Sequence, residues 1–271
     1  MLKRLITGIC FIGTIVGFMF LRKIDRAFFE ILAFIFIVIG CYEMQNALKE
    51  KMELHTRIIV LVFSLAVVPV YHFFKGEAVL YLFMGTALTM LTFMVINNGS
   101  LESVACGALI LFYPCALLIS LLYCNDLSEN STIALISVFT MAPCADTMAY
   151  VVGVTFKGKK LCPEISPNKT VSGGIGGLLG GLIAGVALYF IFRNSIIYSG
   201  WLPLYILFPA MGLIAAFLTA LGDLAESVIK RRVGIKDMGK ILPGHGGILD
   251  RVDGTIFCSW FIYAVFAIMI M

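Results

Sequence analysis

Charged side chains are scarce in this sequence, and their scarcity excludes an ordinary soluble globular protein. They make up 13% of the 271 residues, whereas apolar side chains make up 61%. Soluble domains carry about 25% charged and about 45–50% apolar residues, so a chain of this length cannot bury such an excess in one core. Lipid must therefore cover much of its apolar surface.

Several motifs are also missing. The chain has no G-x-x-x-x-G-K-[ST] and no G-x-G-x-x-G followed by the required strand and helix, which excludes the common soluble nucleotide-binding folds. Its eight cysteines are scattered without a Cys-x-x-Cys pair, which favours apolar packing over a disulfide or a thiolate metal site. No soluble domain, low-complexity tract or internal repeat is present.

Long apolar runs recur along nearly the whole chain. Each is long enough to cross a bilayer as a helix, and only helices satisfy every backbone group in lipid at such lengths. The sequence therefore predicts an all-α polytopic integral membrane protein with about nine transmembrane helices. The predicted spans are at about 5–21, 27–43, 58–74, 78–96, 103–123, 132–156, 173–192, 201–222 and 254–271.

Lysine and arginine in the connections predict the orientation. If nine spans alternate, most basic residues fall on one side, which places the N-terminus in the cytoplasm and the C-terminus outside. The polar loops 157–172 and 223–253 are then cytoplasmic. One connection disagrees, because Arg22, Lys23 and Arg26 fall on the outside. The first span lacks a cleavage signal and is expected to be retained.

Polar residues divide the chain into two regions. Residues 1–130 hold about five spans with few polar groups, and residues 131–271 hold about four spans and both polar loops, which predicts a catalytic region there. Glu30, Glu43 and His72 are exceptions in the first region, for which we expect interfacial placement or interhelical hydrogen bonds.

Glycine recurs every four residues from Gly173 to Gly185, which predicts close helix packing.

The segment 223–253 concentrates eleven charged side chains between two apolar spans. Asp223, Glu226, Ser227 and Lys230 have the spacing i, i+3, i+4 and i+7, so they share one helix face. Acids bind divalent metal and bases bind phosphate, so the mixture points to a metal–phosphate site. The alternative is a solvated helix end with Glu–Lys pairs.

A glycine-rich turn, Pro243 to Gly247, follows in the same segment. Its backbone N–H groups can approach an anion closely, and His245 is expected to contact phosphate or substrate. Asp250 and Asp253 then lie on one face at the opening of the last span. They would cap that helix, or form an oxygen-rich Mg²⁺ site with Asp223.

A third group begins inside the sixth span. Asp146 is a carboxylate within an apolar helix, which marks a functional residue unless it only bonds a hydroxyl of another helix. The loop after that span holds several lysines and the run Ser166-Pro-Asn-Lys-Thr170. This run is a candidate phosphate cradle, although positive-inside anchoring alone explains the lysines.

These groups resemble the signature of phosphatidate cytidylyltransferases. The matching residues are Ser227-x2-Lys230-Arg231-x4-Lys236-Asp237-x-Gly239-x2-Leu242-Pro243-x-His245-Gly246-Gly247-x2-Asp250-Arg251-x-Asp253, Asp146-Thr-x-Ala149-Tyr150-x2-Gly153 and Ser166-Pro-x-Lys169-Thr170. The resemblance covers residues 140–271 strongly. Ser172 stands where the family is expected to carry glutamate.

The resemblance implies Mg²⁺-dependent transfer of a cytidylyl group from CTP to phosphatidic acid, which gives CDP-diacylglycerol and pyrophosphate. It implies Asp223 and Asp250 as Mg²⁺ ligands, a monovalent cation beside Mg²⁺, and a homodimer in a bacterial cytoplasmic membrane. No nucleic-acid partner is expected. The implied catalytic residues are Asp223, Lys230, Arg231, Lys236, Asp237, His245, Asp250, Arg251 and Asp253. The implied substrate-binding residues are Asp146, Tyr150, Ser166, Lys169, Thr170, Ser227, Gly246 and Gly247.

Two other functions stay open at this point. A CTP-dependent lipid kinase would transfer the γ-phosphate to a polyprenol-type alcohol and would need a general base for that nucleophile. A transporter would use Asp146 as an intramembrane coupling site, but that class favours symmetric repeats with broken helices in both halves.

Overall fold

The computed structural model describes residues 2–244 and 246–269, so the predicted site residue His245 lies outside the described residues. Short 3₁₀ turns at Lys49–Lys51 and Ser128–Asn130 and a π-helical segment at Leu111–Ala116 connect some of the longer helices. The described helices are α1 (Leu2–Leu21), α2 (Ala27–Ala47), α3 (Leu54–Ile96), α4 (Leu101–Ile110), α5 (Leu117–Asn125), α6 (Ser131–Phe156), α7 (Val171–Phe192), α8 (Leu204–Arg232) and α9 (Leu249–Met269).

The all-α polytopic architecture is confirmed. Seven helical stretches of the described chain are long and apolar enough to cross a membrane, and one of them, Leu101–Asn125, combines α4, the π-helical segment and α5. The helix α1 adds a shorter apolar stretch, Ile6–Leu21. The helix α3 has 43 residues and would be about 65 Å long if straight, roughly twice the apolar thickness of a bilayer. Lys75 interrupts it with a non-helical backbone at φ 64°. The predicted spans 58–74 and 78–96 lie on either side of Lys75, and the count of nine stays a prediction.

Packing divides the chain into two compact units. The first comprises Met1–Leu122 and Val233–Arg251, and the second comprises Tyr123–Arg232 and Val252–Met271. The loop between α8 and α9 thus packs with the N-terminal helices. These units describe packing only, so the predicted division of function at residue 130 stays a prediction.

The predicted glycine strip of α7 is confirmed as a packing surface of the second unit. A β-carbon added at Gly180 would lie 2.6 Å from Met148 Cβ and 2.7 Å from the Cys144 carbonyl oxygen, both on α6. One added at Gly181 would meet the backbone of Gly212 on α8. The strip therefore lets α7 contact α6 and α8 at backbone distance.

A small hairpin precedes α7. Strands β1 (Lys160–Cys162) and β2 (Ser166–Thr170) pair antiparallel, with Lys160 opposite Thr170. Thr170 then begins the helix, because its Oγ1 accepts a hydrogen bond from the Gly173 N–H at 3.1 Å. The hydroxyl of Ser172 donates to the Lys157 carbonyl, which closes the base of the hairpin. The loop proposed as a phosphate cradle is thus an ordered hairpin.

Candidate functional site

The polar face predicted at the end of α8 is confirmed. The helix continues to Arg232, so Asp223, Glu226, Ser227 and Lys230 repeat at helical spacing. Glu226, Ser227 and Lys230 are buried, whereas Asp223 is half-buried. The face therefore packs against protein at its far end and is accessible at Asp223.

Asp223 contacts the hairpin through Lys169. Lys169 Nζ lies 2.6 Å from Asp223 Oδ2 and 3.5 Å from the Ala220 carbonyl oxygen, to which it donates. The Ser227 hydroxyl donates to Asp223 Oδ1 at 3.4 Å. Three predicted site residues from β2 and α8 thus form one cluster in the second unit, which we call the Asp223 cluster.

A buried charge network lies one turn farther along α8. Lys230 Nζ donates to Glu226 Oε2 at 2.8 Å, and the Glu226 side chain is fully buried. The Asp253 carboxyl is hydrogen-bonded to Glu226 and lies close enough to Asp223 and Lys230 to interact with their charges. Helical spacing predicts that Glu226 shares this face, but it does not predict that Glu226 belongs to the site.

Small residues explain why Asp253 reaches α8. A β-carbon added at Gly222 would lie 2.5 Å from the Asp253 carbonyl oxygen, and one added at Gly254 would lie 2.5 Å from the Thr219 side chain. Glycine at these two positions lets α8 and the second-unit part of α9 approach each other closely. The approach brings Asp253 beside the charged face of α8.

The other predicted residues of the second unit lie on α8, α6 and β2. Arg231 is exposed, and its Nε donates to the Ile165 carbonyl at 3.3 Å, which provides a second contact between α8 and the hairpin. Asp146 and Tyr150 share the exposed face of α6 at i and i+4. Ser166 on β2 is half-buried.

In the first unit, Asp250 orders the loop before α9. Its Oδ2 accepts hydrogen bonds from the backbone N–H groups of Met238 and Gly247, both at 2.8 Å. The chain turns sharply between these donors, with φ of 79° at Gly244 and 81° at Gly246, values that favour glycine. A β-carbon at Gly246 would lie 2.7 Å from Asp250 Oδ2. The predicted sharp turn is confirmed, and Asp250 holds it.

Glu43 of α2 holds the other end of this loop. Its carboxylate accepts the Ile248 N–H at 3.1 Å and the Leu249 N–H at 2.9 Å, where α9 begins. Gly239 and Gly247 lie directly against the same carboxylate. A negative charge at a helix N-terminus is favourable, so the buried Glu43 caps α9 from another element. The sequence marked Glu43 as polar within a span but gave no partner for it.

Three further predicted residues of the first unit are at the surface. Lys236, Asp237 and Arg251 are exposed. Lys236 and Asp237 lie in the same loop as the glycine turn, so the Glu43 and Asp250 contacts fix the backbone that carries them. The loop therefore presents charged side chains on a backbone held by two buried carboxylates.

The carboxylates of the second unit are the type of ligand that Mg²⁺ prefers, because they bind through oxygen. Within residues 2–244 and 246–269, no three or more His, Cys, Asp or Glu side chains are grouped closely enough to hold a metal. Mg²⁺ usually binds one or two carboxylates together with substrate phosphates rather than a cage built by the protein alone. Asp223 and Asp253 would supply two such carboxylate ligands, which matches that pattern.

Removing the Glu43 carboxylate should destabilise the loop before α9. Glu43→Ala leaves two buried N–H groups without their acceptor, at about 1–3 kcal/mol each. Glu43→Gln keeps one acceptor oxygen and should lose less. Thermal unfolding in detergent and hydrogen exchange at the Ile248 and Leu249 amides measure both effects.

Glu50→Gln is the matched control for Glu43, because Glu50 is an exposed carboxylate close by in sequence. We expect stability in the order wild type and Glu50→Gln, then Glu43→Gln, then Glu43→Ala. A Glu43→Ala protein as stable as the Glu50→Gln control would show that the cap contributes nothing.

Comparison with known proteins gives a consistent result along the chain. The model of the cytidylyltransferase family matches residues 2–269. The chain is 31% identical to the phosphatidate cytidylyltransferase of Bacillus subtilis (strain 168), over 99% of this chain and 98% of that protein. It is 32% identical to that of Rickettsia typhi, over 80% of this chain and 93% of that protein. A shorter alignment, over 41% of this chain and 40% of the Staphylococcus aureus (strain COL) protein, is 48% identical.

Proposed function

The chain belongs to the cytidylyltransferase family, and we infer that it is an enzyme that transfers the cytidylyl group of CTP to phosphatidate, forming CDP-diacylglycerol. The observation that carries this function is the match to a phosphatidate cytidylyltransferase over nearly the whole of both chains. The product is a phospholipid precursor. The apolar helices suit a substrate whose acyl chains stay in the bilayer.

The reaction brings two negatively charged reactants together. An oxygen of the lipid phosphate attacks the α-phosphorus of CTP, and the bond from that phosphorus to the pyrophosphate oxygen breaks. Both reactants are anions, so cations must offset their repulsion and stabilise the leaving pyrophosphate. A phosphate monoester is already ionised near neutral pH, so the nucleophile needs no strong general base.

We assign the cationic role in the second unit to Lys169, Lys230 and Arg231. Lys169 and Lys230 each contact a carboxylate and are held in place by it. Basic side chains held in this way are preorganised for phosphate oxygens. Ser166 is a proposed hydroxyl donor to phosphate, and Asp146 and Tyr150 are proposed to contact substrate from α6. Thr170 caps α7 and Ser227 donates to Asp223, so these two hydroxyls support the site through its backbone and its carboxylate.

In the first unit, Lys236 and Arg251 are proposed phosphate contacts, with the backbone N–H of Gly246 as a further donor. The Gly247 N–H donates to Asp250 instead, so Gly247 serves the turn rather than the phosphate. His245 and Asp237 complete the proposal for this loop. Its ordering by Glu43 and Asp250 supports a role in binding, because contacts made only after costly loop ordering would be weaker.

We propose Mg²⁺ as the cofactor, with Asp223 as a ligand and Asp253 as a further carboxylate near it in the second unit. For Asp250, in the first unit, the role of a ligand stays a proposal from the family resemblance alone. When bound, the ion would neutralise phosphate charge and assist departure of pyrophosphate. The half-buried position of Asp223 supports this assignment, because the carboxylate stays accessible from solvent. A monovalent cation beside Mg²⁺ and a homodimer remain proposals from the family resemblance.

The protein is a multi-pass membrane protein, and we propose that its site faces the cytoplasm of a bacterial cell. The distribution of lysine and arginine supports this orientation. Contacts within each unit are compatible with alternating spans: Lys51 pairs with Glu102 at 2.8 Å on the side predicted to be inside. Asn130 exchanges hydrogen bonds of 2.8 and 3.1 Å with Ile197 on the side predicted to be outside.

Labelled CTP tests the reaction. Purified protein with phosphatidate, CTP and Mg²⁺ should transfer label from the α-phosphate into the lipid and release label from the γ-phosphate as pyrophosphate. Label from the γ-phosphate in a polyprenol would instead identify a lipid kinase. Absence of any CDP-lipid from active, folded preparations would contradict the proposed function.

A further inference from the structure

A cavity of about 320 Å³ lies in the first unit between the start of α2 and residues 68–73 of α3, just before the break at Lys75. Its wall is apolar over most of its area, with Ile31 and Phe34 on one side and Val68 and Phe73 on the other. Proteins bind small ligands in cavities of about 300–1,000 Å³ with mostly apolar walls and few polar groups. The volume suits part of one lipid molecule.

One hydrogen-bonded pair, Glu30 and His72, provides the polar part of this wall. Glu30 is buried, and its Oε2 lies 2.6 Å from His72 Nδ1. A carboxylate at this depth of a membrane span is costly without such a partner. Because Glu30 occupies Nδ1, the half-exposed ring of His72 offers Nε2 to a ligand.

The cavity lies at the start of α2, where the predicted topology puts the boundary between lipid head groups and acyl chains. Its lining begins at Ala27, the first residue of α2, and reaches Phe34, about 10 Å farther along the helix. Pro69 on the opposite wall has no backbone N–H and interrupts the hydrogen-bond ladder of α3. A proline in this position favours a local bend, which leaves space between the two helices.

Basic side chains stand at the head-group end. The connection from 22 to 26 carries three bases and one acid, and that acid, Asp25, accepts the Ala27 N–H at 2.8 Å. Lys23 and Arg26 are exposed, as is Lys75 at the break in α3. This is also the connection that disagrees with the positive-inside distribution, so orientation does not account for its charge.

We propose that this cavity is a binding site for an anionic glycerophospholipid, with the phosphate beside Arg26 and His72 and one acyl chain between α2 and α3. The predicted topology assigns this end of α2 to the outside, whereas the catalytic loops are predicted to be cytoplasmic, and the assignment of the site does not depend on the proposed reaction. Basic residues near a head group add affinity for anionic lipid, and the apolar wall accepts the chain.

Photo-crosslinking tests the site directly. The full-length protein is placed in phosphatidylcholine nanodiscs with a trace of phosphatidylglycerol that carries a diazirine in one acyl chain. This probe is a phosphodiester and so cannot accept a cytidylyl group. We expect cross-linked peptides that include residues 31–34 or 68–73, with a higher yield than from a phosphatidylcholine probe of the same chains.

Three variants separate charge from cavity shape. Arg26→Gln should lower the preference for phosphatidylglycerol about fivefold, the contribution of one basic side chain near an anionic head group. Arg193→Gln removes a base from another predicted outside connection and should leave the preference unchanged. Val68→Trp fills the cavity and should remove cross-links from both probes, and Arg26→Gln covers the case in which Val68→Trp fails to fold.

Three results would overturn the site. Equal yields from the two probes would exclude recognition of anionic lipid. Cross-links confined to other helices would exclude the cavity. A folded Val68→Trp protein that keeps the wild-type yield of cross-links at residues 31–34 would exclude the cavity as the place of labelling.

Discussion

Asp223→Asn should lower the rate of CDP-diacylglycerol formation about 100-fold to 1,000-fold, the range for loss of one preorganised charged contact at a reacting centre. The amide keeps the shape of the side chain but loses its charge. Asp223 has two proposed tasks, because its carboxylate holds Lys169 at 2.6 Å and is the first proposed metal ligand. Both tasks need the negative charge and both act on the reacting phosphates, so kcat and kcat/KM should both fall.

A matched control and a direct metal measurement accompany Asp223→Asn. Glu129→Gln removes an exposed carboxylate of the same unit on the predicted opposite face and should leave the rate unchanged. Mn²⁺ binding, followed by electron paramagnetic resonance, should weaken in Asp223→Asn and not in Glu129→Gln. Wild-type activity in a folded Asp223→Asn protein would contradict the assignment, and unchanged Mn²⁺ binding would remove Asp223 from the metal site.

The second large effect concerns stability. Lys230→Met should destabilise the second unit by about 3–5 kcal/mol, because it leaves the charge of the fully buried Glu226 without its lysine. Removing one member of a buried ion pair costs more than replacing both. The double variant Glu226→Gln/Lys230→Met should therefore recover much of the lost thermal stability.

The same pair of variants distinguishes folding from phosphate binding. If Lys230 also contacts phosphate, the double variant should be nearly as stable as wild type in thermal unfolding and still have a low rate. Recovery of activity together with stability would limit Lys230 to a structural role. A Lys230→Met protein with the unfolding midpoint of wild type would show that the pair does not stabilise the fold.

The parts of the site that could be predicted from sequence are those set by a local repeat. The shared face of Asp223, Ser227 and Lys230 follows from 3.6 residues per turn once α8 is helical. The glycine strip of α7 follows from the same period. The turn around Gly246 follows from glycine's tolerance of positive φ. None of these needs knowledge of another element.

Contacts between distant segments could not be predicted in this way. Glu43 and Leu249 are 206 positions apart, and nothing local to either shows that one caps the other. Spacing predicts that Asp250 and Asp253 share a helix face. The N–H groups that donate hydrogen bonds to Asp250 lie in the preceding loop, whose conformation does not follow from spacing. The sequence shows which atoms can donate or accept. Only the fold shows which of them meet.

The break in α3 could be predicted from the sequence. Hydropathy separates two spans, 58–74 and 78–96, and the backbone leaves helical geometry at Lys75, which lies between them. A straight helix of 43 residues would be about 65 Å long, roughly twice the apolar thickness of a bilayer. The length of the apolar run and the thickness of the lipid therefore indicate the break without knowledge of another element.

The glycine strip of α7 also limits how the second unit can change during evolution. At Gly181 and Gly185 the neighbouring atoms include the backbones of Gly212 and Phe208, which no substitution can make smaller. An enlarged residue there has no compensating partner, in contrast to an enlarged residue in a side-chain core, where a neighbour can shrink. Second-site suppressors of such changes are therefore not available at the contact itself. The strip should vary less freely than the apolar residues beside it, whatever the lipid composition of the host.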